Sequence, residues 1–155
     1  MRIRIVAVGR LRAGPEAALV QDYLTRFDRT GRGLGLGPAV VTELDARKGG
    51  QSAEAELIQK AIAGASHVVA LDERGTTAGS VRFARKLAGL RDDGNAQIDF
   101  VIGGADGLTD PVRHLSTELM SFGPMVWPHM LVRAMLAEQL YRAASILAGS
   151  PYHRS

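Results

Sequence analysis

The sequence predicts an α/β protein, a mostly parallel sheet flanked by helices on both faces. Two observations predict it. Short apolar runs alternate with longer stretches of helical periodicity from one end of the chain to the other, the order that strand–helix–strand units require. The run His67–Leu71 is apolar without a break after its first residue, as in a strand covered on both faces. At 155 residues the chain is the size of one domain and long enough to bury most of its own apolar surface. It shows no internal repeat, low-complexity tract or second domain, so residues 1–155 read as a single unit.

The elements follow in order. Arg2–Val8 reads as a first strand ended by Gly9. Pro15 opens a helix to about Arg29, with Ala18, Leu19, Tyr23, Leu24 and Phe27 at helical spacing. Gly31–Gly37 carries four glycines in seven residues and is expected to be loop. Ala39–Leu44 is a second strand. Ser52 is expected to cap a helix over Ala53–Gly64, with Glu54 and Glu56 in its first turn. His67–Leu71 is the third strand. Ser80 caps a helix to about Leu90, with Val81, Ala84, Leu87 and Ala88 on one face. Ile98–Ile102 is the fourth strand. Thr109 starts a helix to Met120, with Pro111 early enough to be tolerated. Phe122–Trp127 is expected as a short fifth strand interrupted by Gly123-Pro124, and Met130–Ala148 as a long closing helix.

Composition narrows the function classes. An apolar fraction of 46% and a charged fraction of 23% are ordinary for a soluble globular protein. The absence of cysteine excludes a disulfide framework, a thiolate metal site and a thiol nucleophile, and fits a reducing cytoplasm; no metal is expected. The alternating start Met1-Arg2-Ile3-Arg4-Ile5 is not that of a signal peptide, and no apolar stretch approaches the roughly 18 residues of a membrane helix. The net charge is +3, and arginine dominates the 19 basic residues. Guanidinium suits phosphate contacts, yet so small an excess is weak evidence for nucleic acid. Arg2, Arg4, Arg10, Arg12 and Arg47 are expected to be salt-bridged surface.

In a parallel sheet, ligands bind at the carboxyl ends of strands, where loops lead into helices. That directs attention to Asp72–Gly79, Gly103–Thr109 and the turn around Trp127–Met130. In the second, a buried strand runs into three glycines within five residues, Gly103, Gly104 and Gly107. Glycines there let the backbone approach a ligand with its N–H groups free, although a plain structural turn explains two of them equally well. The pattern is neither GxGxxG nor a phosphate loop, which would carry a lysine. Met125-Val126-Trp127-Pro128-His129 then offers an apolar rim with free backbone groups, suited to the edge of an adenine ring. Trp127 is either a stacking partner or core, and His129 either a base or a cap. On the closing helix, Glu138 and Arg142 stand at i,i+4 and are expected to pair. Apolar residues spread nearly round that helix, which points to a partner subunit as well as the domain's own core. The tail Pro151-Tyr152-His153-Arg154-Ser155 sets a phenol, an imidazole and a guanidinium in a row, where a terminus is normally without chemistry.

Val101-Ile102-Gly103-Gly104-Ala105-Asp106-Gly107-Leu108, Pro128-His129-Met130-Leu131-Val132-Arg133, Glu138-Gln139-Leu140-Tyr141-Arg142-Ala143 and Pro151-Tyr152-His153-Arg154 together resemble one family. It is the type-H ribosomal RNA large-subunit methyltransferases, small members of the SPOUT (trefoil-knot) superfamily. Ile5–Gly9, Tyr23–Phe27 and Leu71-Asp72 also fit, so the resemblance spans the chain. It implies a deep C-terminal trefoil knot, which general rules of chain connection would never suggest. It also implies a homodimer and S-adenosylmethionine as cofactor. The implied reaction is methylation of N3 of a pseudouridine in a hairpin of 23S ribosomal RNA, on the assembled ribosome. By correspondence, Leu71, Gly103 and Phe122, Gly123, Pro124, Met125, Val126 and Trp127 line the cofactor site, while Tyr152, His153 and Arg154 lie beside the substrate base. Ala105-Asp106 departs from the family's frequent Pro-Glu, Met130 from proline, and Ser150 and Ser155 from histidine and an acidic residue.

The chemistry expected of that tail is proton transfer and anion stabilisation. An imidazole can accept the N3 proton, so His153 is the expected base. Arg154 is expected to stabilise the developing uracil anion or hold a phosphate, and Tyr152 to stack on or fix the base. The alternatives are an unknotted domain binding another nucleotide, and a non-catalytic ribosome-associated factor that kept the fold.

Overall fold

The computed structural model describes residues 1–46 and 49–154; Arg47 and Ser155 lie outside them. Five strands form one sheet: β1 (Arg2–Val8), β2 (Ala39–Leu44), β3 (Val68–Thr76), β4 (Gln97–Ile102) and β5 (Glu118–Met120). Their order is β2-β1-β4-β3-β5, and every neighbouring pair is parallel. The connecting helices are α1 (Pro15–Gly31), α2 (Gly50–Ile62), α3 (Ser80–Asp92), α4 (Asp110–Leu115) and α5 (His129–Leu147).

Side-chain alternation assigns the two faces. From β1, Ile3, Ile5 and Ala7 join Ile98, Phe100 and Ile102 of β4 in a core closed by α1, α3 and α5. The intervening Val6 and Val8, with Val101, Val68 and Ala70, face Ala55, Ile58 and Ile62 of α2 and Val112 of α4. Period two along each strand makes both faces apolar at once, as a covered parallel sheet requires. One ion pair sits within the second face. Arg4 and Asp99 are register partners on β1 and β4, and the guanidinium Nε donates to Asp99 Oδ1 at 3.0 Å while Nη2 reaches the carbonyl of Ala61 at 2.8 Å.

The glycine-rich connection does more than turn the chain. Arg32–Leu34 forms one 3-10 turn, Leu36 is buried in the core, and Gly37 N–H donates to Met1 O at 2.8 Å. It thus plugs the edge between α1 and β2. Gly31 must lack a side chain, because a Cβ would stand 2.7 Å from Leu36 O.

The structure corrects five element assignments. The helix expected over 109–120 stops at Leu115: Ser116 turns its hydroxyl back to Val112 O at 2.9 Å, and Thr117 Oγ1 accepts the Val68 N–H at 2.9 Å. Such side chains compete with helical bonding, and the residues beyond them become β5. Phe122–Trp127 is not a strand. Ser121 Oγ bonds both the N–H and the carbonyl of Gly123, Gly123 has φ +114°, and Pro124 has no N–H for a ladder. Gly50 opens α2, leaving Ser52 inside the helix, and the residue preceding α3 is Gly79 rather than Ser80. Finally, β3 runs on to Thr76 through what was expected to be loop. Met120 is registered with both Leu71 and Thr76, and the Ser121 N–H donates to Thr76 O at 3.0 Å. Gly75 lies flat against that strand, a Cβ there falling 2.6 Å from backbone atoms of Leu119 and Met120.

Candidate active site

Because β4, β3 and β5 are adjacent, their carboxyl ends open on one point. A cleft of about 150 Å³ lies there, between the end of β3, the glycine loop after β4, the turn after β5 and the first turn of α5. Of the residues expected at the cofactor site, Leu71, Gly103, Phe122, Gly123, Met125, Val126 and Trp127 line it, as do Gly104, Gly107 and His129. Pro124 lies between lining residues without being one of them. Trp127 is neither core nor fully displayed, at 39% exposure, and Val126 beside it is 83% exposed. An apolar rim so open is unusual for a segment that could have been buried.

Five side chains at and behind the cleft hold its walls. Asp72, at the end of β3, accepts from Arg113 Nη1 at 3.0 Å and from the Arg74 N–H at 2.9 Å. Arg113 also donates to Leu108 O and pairs with Asp110, so one guanidinium ties the glycine loop to β3. Arg113 holds the Asp110 carboxyl below the usual carboxylate range. Behind the loop, Gln51 Nε2 donates to Asp106 O at 2.8 Å, and the Glu54 carboxylate packs where a Gly104 Cβ would be, at 2.7 Å. Arg133 is wholly buried one turn into α5. Its Nη1 meets Glu43 Oε1 at 2.7 Å and its Nη2 meets Gly9 O at 3.0 Å, fixing the start of α5 to the ends of β1 and β2. Sequence reasoning placed only Asp72 near the site, at the head of the Asp72–Gly79 loop. Of the others Arg133 alone left a signal, a charge in the stripe that continues through Leu136 and Leu140.

The tail forms a second centre. Glu138 and Arg142 pair as expected, Arg142 Nε and Nη2 lying 2.9 and 2.6 Å from Glu138 Oε1. Tyr152 returns over them: its hydroxyl donates to Glu138 Oε1 at 3.0 Å, its ring centroid is 4.6 Å from that of Tyr141, and Arg142 stands over its face at 4.8 Å. Burial, followed by the Glu138 bond, pushes the phenol pKa upward, so Tyr152 serves as a neutral donor. Arg142 Nη1 lies 3.4 Å from His153 Nδ1, and Arg154 is exposed. None of the described tail residues lines the cleft. Glu138 is nine residues beyond His129, about 14 Å along the helix axis, so within one chain the structure keeps the two groups of expected site residues apart.

Comparison with known proteins decides the family. The model described as "Predicted SPOUT methyltransferase" matches residues 1–153. The chain belongs to the SPOUT methyltransferase family. It is 61% identical to the ribosomal RNA large subunit methyltransferase H of Dinoroseobacter shibae, over 99% of each chain. It is 60% identical to the protein of that name from Roseobacter denitrificans, over all of both. A probable methyltransferase from Bordetella pertussis superposes with a TM-score of 0.54 at 16% identity, covering 92% of this chain and 95% of that one. A probable methylase family protein from Haemophilus influenzae gives 0.56 at 14%, covering 99% and 70%. These two likenesses show the fold.

SPOUT methyltransferases use S-adenosylmethionine, and the cleft fits it. Gly103 and Gly104 have no room for a Cβ, at 2.9 Å from Leu108 Cδ2 and 2.7 Å from Glu54, so that part of the cleft lining is bare backbone. Ile102, Met120, Val126 and Trp127 give an apolar wall for a purine, and the exposed carboxylate of Glu73 on the rim suits a cationic ligand.

Proposed function

We propose that this chain methylates N3 of a pseudouridine in a hairpin of large-subunit ribosomal RNA on the assembled ribosome, as one catalytic domain spanning 1–155. The observation that carries the reading is the cleft. Segments remote in sequence, at Leu71, Gly103 and Phe122–Trp127, meet at the carboxyl ends of three adjacent strands. The name borne by these relatives supports an RNA substrate of the large ribosomal subunit. Ribosomes place the reaction in the cytoplasm, and among the described residues no helix is long and apolar enough to cross a membrane.

The cofactor, when bound, supplies a methyl group activated by its sulfonium. The residues present then have to align and neutralise. The glycine loop and the rim from Phe122 to Trp127 orient the donor, and the tail residues His153 and Arg154 meet the uracil ring and its charge.

Two features of the architecture belong to the same proposal. The C-terminal segment threads the loop after β3 as a trefoil knot, a reading supported by Met120 pairing with both Leu71 and Thr76 and by Gly75 pressed on its backbone. The working unit is a homodimer in which the tail of one protomer closes the cleft of the other. The separation of tail and cleft on one chain supports this, as do the exposed Met125 and Val126 and the apolar circumference of α5.

Incubation with radiolabelled S-adenosylmethionine and ribosomes lacking the modification should place label on a single large-subunit pseudouridine. Label elsewhere would redirect the substrate. If the cofactor neither transfers label nor raises the melting temperature, the protein is a non-catalytic ribosome-associated factor.

A further inference from the structure

Arg142 is the centre of the tail cluster, and its chemistry constrains His153. A guanidinium has five N–H donors and no acceptor. Where Arg142 Nη1 faces His153 Nδ1 at 3.4 Å, the ring nitrogen must therefore be the acceptor. In a neutral imidazole one nitrogen accepts and the other carries the proton. With Nδ1 accepting, the proton resides on Nε2. Arg142 is itself locked: two of its nitrogens are on Glu138 Oε1, and its face lies on Tyr152. Tyr152 is held in turn by its hydroxyl on Glu138 and by the Tyr141 ring. Glu138 Oε2 accepts from Gln139 Nε2 at 2.8 Å, so the carboxylate is also fixed.

We infer that Arg142 is a positioning residue that sets the tautomer of His153, and that His153 meets the substrate as a hydrogen-bond donor through Nε2–H rather than as the base suggested by sequence. This rests on the reading that the tail lies beside the target uracil. The chemistry is complete without a basic imidazole. The N3 proton passes to water, N3 bonds the methyl carbon as that carbon's bond to sulfur breaks, and sulfur leaves as a neutral thioether. The charge that develops on the ring carbonyl beside N3 is met by the Nε2–H, whose proton stays on the imidazole.

Geometry supplies the test. The side-chain amide of glutamine sets an N–H near the position of histidine Nε2, whereas asparagine sets it near Nδ1, and neither is a base. His153→Gln should keep methyl transfer to ribosomes within about tenfold of the natural protein, while His153→Ala and His153→Asn fall about 100-fold, the usual loss of a charge-stabilising donor. All three should bind S-adenosylmethionine equally. Glutamine falling as far as alanine would overturn the donor role. Long-range proton–nitrogen spectra of the whole protein labelled with nitrogen-15 histidine, assigned with the His153→Asn variant, read the tautomer directly. The inference expects Nε2–H alone, and a mixed tautomer with a roughly tenfold lower kcat in Arg142→Ala. An Nδ1–H form in the natural protein, or spectra and kcat unchanged in Arg142→Ala, would overturn it. If the natural protein transfers no methyl group, the proposed function fails, and the spectra still decide what Arg142 does to His153.

Discussion

Arg133 carries a full charge into the interior, where Glu43 and the carbonyls of Val8 and Gly9 surround it. Its Nε has no partner among the described residues, so the site is held by the two terminal nitrogens. Glu43 is partly exposed and also accepts the Leu11 N–H at 2.8 Å, so Arg133→Ala chiefly leaves a cavity and two carbonyls short of a donor, and should cost about 3 kcal/mol in urea denaturation. His67 behaves differently. Burial, then the neighbouring Lys86, pushes its imidazole below the ordinary 6.5, although Glu118 Oε1 lies 3.1 Å from Nε2. The unfolded chain takes up a proton near pH 6.5 that the native ring resists. This contribution to stability is therefore present above that pH and lost progressively as pH falls below it. His67→Gln should flatten that part of the stability–pH curve, a change absent if the ring were stabilised as a cation. Both residues show why sequence reading stops short here. A histidine and an arginine in apolar runs can be noticed, but their partners come from elements far along the chain.

Strands and helices were legible where local chemistry and tertiary demand agreed. Pro15 opens α1, and the apolar runs of β1 and β4 are the centre of the sheet. Reading failed at Ser116–Trp127, where a helix was expected to Met120 and a strand over Phe122–Trp127 but Ser116, Thr117 and Ser121 side chains bonded the backbone instead. The short β5 also owes its existence to β3, since three residues alone do not make a strand. Gly75 is the sharpest case. Its backbone is pressed on Leu119–Met120 at a distance no side chain tolerates, and a glycine in a strand does not reveal this from sequence. Gly75→Ala should destabilise the protein by about 2 kcal/mol and lower S-adenosylmethionine affinity, both read from thermal melts with and without the cofactor. Unchanged melts would mean that β3 and β5 separate more easily than their contact suggests.

At the scale of the molecule, the cleft was largely readable, because glycines after a strand and an apolar rim are local patterns. The separation of cleft and tail was not, because it depends on where α5 runs. That helix begins at His129 in the cleft wall and ends just before the tail. Its 19 residues span about 28 Å at 1.5 Å each, anchored in the first turns by Arg133 and from the middle onward by Glu138 and Arg142. In the proposed homodimer, α5 would be a gauge block that sets where each tail stands relative to the clefts, to a fraction of a turn. Inserting a single alanine after Leu147, beyond the last buried residue of α5, would swing the tail by about 100° around the axis and part Tyr152 from Glu138. Such a variant should still fold and bind S-adenosylmethionine, yet deliver no methyl group to ribosomes. Dimensional tolerance, rather than any one reactive group, is then what this small protein has to keep.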